Sequence, residues 1–193
     1  MSSTVYTFGS ELTIRNLLAA YRGEMNTQAR YRSFAARADA EGLFGLGSLF
    51  RAAARAEQIH ANTQARAIRH LGGTATAVVE IEPVSNTLDN LREALEGENF
   101  EIATVYPEFI AEATSKINAM AARTFRWALE AEKTHARLYG DAISLLQANQ
   151  RNSWIGERCD FYVCPVCAGT SAQSSDDNCT ICNYPAERLE VIR

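Results

Sequence analysis

The sequence lacks three features, each of which is typical of a particular class of protein. It has no apolar run near the ~18 residues that span a bilayer. Its first residues lack the basic and apolar segments of a secretory signal. Its net charge of −4 offers no basic stripe for nucleic acid. We therefore expect a cytoplasmic protein with neither a membrane nor nucleic acid as a partner.

Histidine and cysteine are scarce, and both are concentrated in patterns. Two of the three histidines lie in the segments Ala56–Ala61 and Ala131–Ala136, which both read Ala-Glu-x-x-His-Ala. Four of the five cysteines form two Cys-x-x-Cys motifs near the C-terminus; Cys159 belongs to neither motif, and we predict no role for it. Paired cysteines at this spacing favour metal ligation in a reducing compartment over disulfide bonds.

Residues 10–147 are rich in the helix formers Ala, Leu, Glu and Arg. They predict an all-α four-helix bundle in which Thr74–Ser85 is a long crossover, as in ferritin-like bundles. The predicted helices run from an N-cap at Ser10 to Gly42, from Phe44 to Leu71, from Asn86 to Thr114 with a kink at Pro107, and from Ser115 to Ala148.

The composition changes near residue 150, where turns, short strands and cysteines replace the helical pattern. We therefore predict two domains, a bundle over residues 1–150 and a small β/loop domain over residues 151–193. About 40 residues are too few for an independent hydrophobic core, so bound metal must stabilise the second domain.

The bundle contains an internal repeat at an offset of 74 to 75 residues. The matched elements are Gly23-Glu24 with Gly97-Glu98, Tyr31-x-x-Phe34 with Tyr106-x-x-Phe109, and the two Ala-Glu-x-x-His-Ala segments. The repeat predicts two copies of one helical hairpin around a shared pseudo-twofold axis. Glu101 breaks the symmetry, because Thr27 occupies the equivalent position in the first copy.

Each copy supplies one lone Glu and one Glu-x-x-His pair, whose side chains lie one turn apart on one helix face. Four carboxylates and two imidazoles in a bundle core are the donor set of a di-iron centre. The predicted ligands are Glu24, Glu57, His60, Glu98, Glu132 and His135, with Glu57 and Glu132 bridging the two irons. Glu101, one turn after Glu98, would be a fifth carboxylate that exchanges with His60 as the irons change oxidation state.

Tyr31 and Tyr106 follow Glu24 and Glu98 by about two turns on the same faces. Core packing explains such tyrosines as well as a catalytic role does. In the catalytic alternative, their hydroxyls donate hydrogen bonds to ligand carboxylates or to bound peroxide.

Two Cys-x-x-Cys pairs set close together make a tetrahedral four-thiolate site. The predicted ligands are Cys164, Cys167, Cys179 and Cys182. The spacing alone leaves iron and zinc open.

The whole chain resembles the rubrerythrins, which join a ferritin-like di-iron bundle to a rubredoxin-like domain. The segments that carry the resemblance are Asn16–Tyr31, Glu57-x-x-His60, Gly97–Phe109, Glu132-x-x-His135 and Tyr162–Cys167. The resemblance implies the ligand sets given above, with Glu101 as the residue that distinguishes this pattern from ferritins. It also implies a homodimer in which the small domain of one subunit lies near the di-iron site of the other, since the two sites of one chain are expected to be far apart.

One departure from the family concerns the cysteine knuckles, which usually carry Gly after the second Cys of each pair. Ala168 and Asn183 occupy these places here. Asn tolerates the left-handed conformation whereas Ala is strained in it, so we expect Gly169 to take up the turn.

The resemblance implies a peroxidase that reduces hydrogen peroxide to water, with electrons from an NAD(P)H-dependent reductase or a rubredoxin passing through the cysteine site. One rival is a ferroxidase or iron-handling protein of the ferritin-like class. A second rival is a non-catalytic protein in which both sites hold zinc.

Overall fold

A computed structural model describes residues 8–80, 83–148 and 153–193. The bundle helices are α1 (Phe8–Ala40), α2 (Phe44–His70), α3 (Thr87–Phe100), a π-helical turn (Glu101–Val105), α4 (Tyr106–Ser115) and α5 (Ala119–Gln147). The small domain contains α6 (Ser153–Gly156), β1 (Phe161–Val163), β2 (Thr170–Ser171), a 3₁₀ turn (Ala186–Arg188) and β3 (Glu190–Ile192).

The ferritin-like bundle with its long crossover is confirmed, and the third predicted helix corresponds to α3, the π turn and α4. The crossover lies along α1, where Asn26 Nδ2 donates to the carbonyl of Val78 at 3.3 Å and Asn26 Oδ1 accepts from the amide of Glu80 at 2.8 Å. The predicted N-cap at Ser10 is wrong, because α1 already includes Phe8. The predicted domain boundary near residue 150 lies outside the described residues.

The expected kink at Pro107 takes the form of the π turn over Glu101–Val105. Proline has no amide hydrogen to donate into the preceding turn, and a π turn accommodates one extra residue without ending the helix. Glu101 is the first residue of this turn, so the irregularity lies at a predicted ligand.

The ends of three helices share one hydrogen-bond pattern, in which a residue with positive φ closes the last turn. Gly42 (φ 72°) closes α1, Gly72 (φ 83°) closes α2 and Ile117 (φ 55°) closes α4. In each case the following amide returns to a carbonyl five residues earlier, as in a Schellman motif. Ile117 occupies the repeat position of Gly42, and its branched side chain is 92% exposed.

Two apolar clusters fill the bundle, one toward each end of the helices. The first includes Phe34, Phe50 and Tyr139, and the second includes Leu17 and Phe125. Along α1 and α5, the buried acidic and histidine residues lie between the parts that contribute to these clusters. The bundle therefore encloses a polar centre within an apolar core.

The small domain is a three-stranded antiparallel sheet in the order β2-β1-β3. It packs on α2 and α5 of the same chain, where the Arg55 guanidinium pairs with both carboxylate oxygens of Glu190 at 2.6 and 2.8 Å. Within the described residues, no helix is long and apolar enough to cross a membrane.

Candidate metal centre

The six predicted bundle ligands converge in the structure. They form two groups of four whose ligand atoms lie within 4.8 Å of one another. One group contains Glu24 and His60, the other contains Glu98 and His135, and both contain Glu57 and Glu132. The two shared carboxylates are those predicted from the sequence as bridges, and all six side chains are at most 3% exposed.

Helix geometry explains this convergence. The three-residue spacing places Glu57 and His60 on one face of α2, and Glu132 and His135 on one face of α5. Glu24 and Glu98 reach the same space from α1 and α3. Four helices each contribute to the site, so no single helix holds a complete donor set.

The histidines direct Nδ1 into the cluster. His60 Nδ1 lies 3.1 Å from Glu57 Oε2 and 3.0 Å from Glu132 Oε1. His135 Nδ1 lies 2.7 Å from Glu132 Oε2. Glu132 is thus contacted by both imidazoles, whereas Glu57 has such a close contact with His60 alone among the described residues.

These contacts give the carboxyl groups opposite pKa shifts. Burial, followed by the negative charge of Glu132, holds the pKa of Glu57 well above its usual value. Burial likewise raises the pKa values of Glu98 and Glu101. Burial also acts to raise the pKa of Glu132, but the neighbouring His60 and His135 outweigh it and lower that pKa. The raised pKa values mean that several ionised carboxylates do not share this buried space without cost, so the metal-free cluster takes up protons that bound cations would replace.

The donor chemistry fits two iron ions. Carboxylate oxygens and imidazole nitrogens together suit iron in both its ferrous and ferric states. Within the described part of the chain, the buried Glu57 Oε1 makes no hydrogen bond. An unsatisfied buried carboxylate oxygen at the centre of the cluster is the expected condition of a bridging metal ligand.

The two tyrosines donate to carboxylates of opposite halves. The Tyr31 hydroxyl donates to Glu98 Oε1 at 2.7 Å, and the Tyr106 hydroxyl donates to Glu24 Oε1. Burial, then the nearby carboxylates, raises the pKa of both phenols, so both stay protonated at neutral pH. Each tyrosine is packed in an apolar cluster, as the core-packing alternative expects, and its hydroxyl also makes the hydrogen bond to a carboxylate that the catalytic alternative requires.

Glu101 belongs to neither group of four. Its side chain is half-buried and lines a small cavity together with Glu57 and Glu98. The structure thus places Glu101 beside the cluster, in reach of its charges but outside its closest contacts.

Two residues beside the site follow from the repeat but were not predicted. Gln64 Nε2 donates to Glu24 Oε1 at 2.8 Å, and the ring of Tyr139 packs edge-to-face on Tyr31 with centroids 5.8 Å apart. They stand four residues after His60 and His135 and so occupy equivalent positions. Gln64 and Tyr139 therefore lie on the same helix faces as the ligands, and this spacing is the sequence signal that marks them.

Another residue beside the site that was not predicted is Thr170, which lies in the small domain and outside the repeat. Its hydroxyl lies 3.0 Å from His135 Nε2 and donates to the carbonyl of Ala168 at 2.9 Å. Its amide donates to Thr134 Oγ1 on α5 at 3.1 Å. If His135 held a metal through Nδ1, its Nε2–H would donate to Thr170, which would fix the ring as partners of metal-bound imidazoles do. No local pattern signals this contact, because it joins residues 35 positions apart.

The four cysteines form the predicted second site. The sulfurs of Cys164 and Cys182 are 3.5 Å apart, and those of Cys167 and Cys179 are 3.4 Å apart. These separations are close to the about 3.8 Å edge of a tetrahedral thiolate site. Sharing of thiol protons raises the pKa of Cys167 and lowers that of Cys179.

The expectation that Gly169 takes up the knuckle turn is wrong. Ala168 itself adopts φ 66° and Asn183 adopts φ 61°. Their amides donate to the carbonyls of Cys164 and Cys179 at 2.9 and 2.8 Å, so both knuckles keep the same turn. A Cβ at Gly169 would lie 2.7 Å from Ile181 Cδ1, so a larger residue there would require the Ile181 side chain to shift.

The expectation that the two sites of one chain lie far apart is also wrong. Thr170 contacts His135 within the same chain, and Ala168, whose carbonyl accepts from Thr170, directly follows Cys167. The small domain therefore meets the bundle cluster without a second subunit.

Comparison with known proteins identifies the family. A family model described as rubrerythrin matches residues 15–143. Rubrerythrin-2 of Clostridium acetobutylicum is 32% identical over 181 residues, which cover 93% of this chain and 96% of that protein. The chain belongs to the rubrerythrin family.

Related structures agree with the assignment. Nigerythrin of Nitratidesulfovibrio vulgaris is 30% identical over 91% of this chain and 84% of its own length. The fully reduced, all-ferrous state of nigerythrin has a TM-score of 0.82 at 28% identity and covers 99% of this chain and 91% of that chain. A Desulfovibrio desulfuricans bacterioferritin, at 21% identity and a TM-score of 0.70, shares the bundle fold. The chain thus carries a di-iron carboxylate site and a rubredoxin-like site, and belongs to a class of oxidoreductases in oxidative stress defence.

Proposed function

We propose that this chain is a peroxidase that reduces hydrogen peroxide to water. Glu24, Glu57, His60, Glu98, Glu132 and His135 would hold the iron pair, with Glu57 and Glu132 bridging. Cys164, Cys167, Cys179 and Cys182 would hold the single iron. The iron pair, when bound, supplies the two electrons that cleave the oxygen–oxygen bond.

The chain supplies the proton donors for this reaction. Reduction of one peroxide to two waters consumes two protons as well as two electrons. The Tyr31 and Tyr106 hydroxyls lie at the cluster, are protonated at neutral pH and already donate to Glu98 and Glu24. Glu101, whose pKa is raised by burial and by the charge of Glu24, is a third proton carrier and an additional ligand.

Electrons would enter the bundle through the small domain. The contact runs from Cys167 and Ala168 through the Thr170 hydroxyl to His135 Nε2. It is the observation that most favours redox turnover over iron storage, because iron storage does not require a second metal site whose domain contacts a ligand of the first. A reductase or a rubredoxin would supply electrons to the cysteine site.

A homodimer is proposed from family membership alone. The contact between Thr170 and His135 lies within one chain and does not require a partner subunit. Analytical ultracentrifugation of the loaded protein determines the oligomeric state separately from the redox chemistry.

Stopped-flow mixing of the anaerobically reduced protein with peroxide or with oxygen tests the proposed function. Peroxide should oxidise the bundle site much faster than oxygen does. Comparable rates would favour the ferroxidase rival, and a protein whose two sites hold zinc would react with neither. The visible spectrum of the isolated protein tests the cysteine site, where absent thiolate-to-iron bands would indicate zinc.

A further inference from the structure

A cavity of about 40 Å³ lies between α1 and α3, directly beside the metal centre. Its inner wall includes the carboxylates of Glu57, Glu98 and Glu101. Its remaining wall includes Arg30, Tyr31, Glu93 and Gly97. A space of this size holds one to a few water-sized molecules.

Burial indicates that this cavity connects the site with solvent. The six converging ligands are at most 3% exposed, so they have almost no surface of their own. Glu101 is half-buried, and it is one of the cavity-lining carboxylates. A small molecule in the cavity lies beside all three carboxylates, and Glu101 is the most exposed of them. Tyr31, which donates to Glu98, faces the same space.

Two features determine the width of the cavity at its solvent-facing side: an ion pair that narrows it and a glycine that leaves it open. Arg30 on α1 and Glu93 on α3 form an ion pair at 2.8 Å, and their side chains are 35% and 46% exposed. Gly97 on α3 has no side chain, and a Cβ there would come within 4 Å of no described atom outside its own stretch of helix. A larger residue at Gly97 would therefore extend into space that is now open.

We propose that this cavity is the passage by which peroxide reaches the metal centre. Gly97 keeps it open, and the ion pair of Arg30 with Glu93 restricts it to molecules as small as hydrogen peroxide. Bulkier alkyl hydroperoxides such as tert-butyl hydroperoxide would then be excluded. The identity of the oxidant rests on the proposed function, whereas the passage itself rests on the cavity and on the burial of the ligands.

The first test narrows the passage with Gly97→Leu. Gly23 is the matched control, because it is the repeat counterpart of Gly97, also has a free Cβ position and does not line the cavity. In the iron-loaded protein, Gly97→Leu should slow oxidation by hydrogen peroxide at least about tenfold, and Gly23→Leu should leave the rate unchanged. Circular dichroism and iron content establish that both variants are folded and loaded.

Azide binding to the oxidised protein supplies a readout that is independent of turnover. Its on-rate, followed by absorbance, should fall in Gly97→Leu by the same factor as the peroxide rate. Equal azide rates in wild type and Gly97→Leu would overturn the passage. If wild type reacts equally fast with peroxide and oxygen, the proposed function fails, and the azide rates still decide whether small molecules enter here.

The second test widens the passage with Arg30→Ala. The ratio of the tert-butyl hydroperoxide rate to the hydrogen peroxide rate should rise at least about tenfold relative to wild type. Arg30→Lys keeps the charge beside Glu101 and should behave like wild type. A wild-type protein that reacts with both hydroperoxides at comparable rates would contradict the size limit.

Discussion

The two halves of the bundle supply matching ligands but hold their histidines differently. His135 Nε2 lies 3.0 Å from the Thr170 hydroxyl, so its ring is fixed on both sides. His60 Nε2 is equally buried but has no hydrogen-bond partner among the described residues. Duplication therefore explains the symmetric donor set, and docking of the small domain explains the asymmetry.

This difference assigns different roles to the two halves. The anchored His135 belongs to the half that meets the small domain and would receive electrons. The unanchored His60 belongs to the half that also contains Glu24, the residue whose charge contributes most to the raised pKa of Glu101 after burial. An imidazole with no anchor on its outer nitrogen moves more easily, which is consistent with the expected exchange of His60 with Glu101.

The largest predicted effect distinguishes the two bridging carboxylates. Glu57→Gln and Glu132→Gln should each abolish binding of the iron pair, because each residue belongs to both groups of ligands. In the metal-free protein their effects on stability should differ in sign. Glu57→Gln removes a carboxyl group whose raised pKa disfavours folding at neutral pH, whereas Glu132→Gln removes the carboxylate that contacts both histidines. Urea unfolding of the two apo variants measures the difference, and equal shifts of the same sign would contradict it.

The metal-free protein should lose stability as the pH rises from about 5 to about 8. The pKa values of Glu57, Glu98, Glu101 and His60 are all raised in the folded state. A group whose pKa is higher in the folded state stabilises that state fully at pH values below its pKa in the unfolded state, about 4.3 for Glu and 6.5 for His. This stabilisation is lost as the pH rises through the pKa of the group in the folded state. Glu132, with its lowered pKa, acts in the opposite direction but only below about pH 4.3.

Urea titrations of apo and iron-loaded protein at several pH values check this expectation. The loaded protein should show little loss over the same range, because the cations replace the missing protons. Equal stability of the metal-free protein at about pH 5 and at about pH 8 would contradict the raised pKa values of the buried Glu and His side chains.

A smaller effect concerns the anchor of His135. Thr170→Val keeps the shape of the side chain but removes the hydroxyl that holds Nε2. Loss of such a partner lowers metal affinity by about 10- to 100-fold. Thr170→Ser should restore affinity, and competition with a chelator measures both variants. Arg55→Gln, which loosens the same domain contact at Glu190, is the control and should change affinity little.

The smallest predicted effect compares two equivalent turns. Gly42 and Ile117 close the two hairpins with positive φ, a conformation that costs a side-chain-bearing residue about 1–2 kcal/mol. Ile117→Gly should therefore stabilise the protein by about 1 kcal/mol, and Gly42→Ala should destabilise it by a similar amount. Thermal unfolding of the loaded protein measures both changes, and a destabilised Ile117→Gly would contradict the strain.

Much of this architecture could be predicted from the sequence, because helix periodicity and the repeat place residues on helix faces. Glu57, His60, Glu132 and His135 follow from a three-residue spacing that any helix must respect. The separation of Glu101 from the ligand groups could not be predicted, since the π turn that begins there changes the helix period locally. The contact of Thr170 depends on how two domains pack, which no local pattern encodes.

The most direct test of the central claim, that two irons share Glu57 and Glu132, is the iron content of the reconstituted protein. Apoprotein loaded anaerobically with ferrous iron and freed of excess metal should retain about three irons per chain, two in the bundle and one in the cysteine site. Glu57→Gln should lose both bundle irons together and keep the third. Retention of one bundle iron in that variant, or about two irons per chain in wild type, would contradict a shared pair.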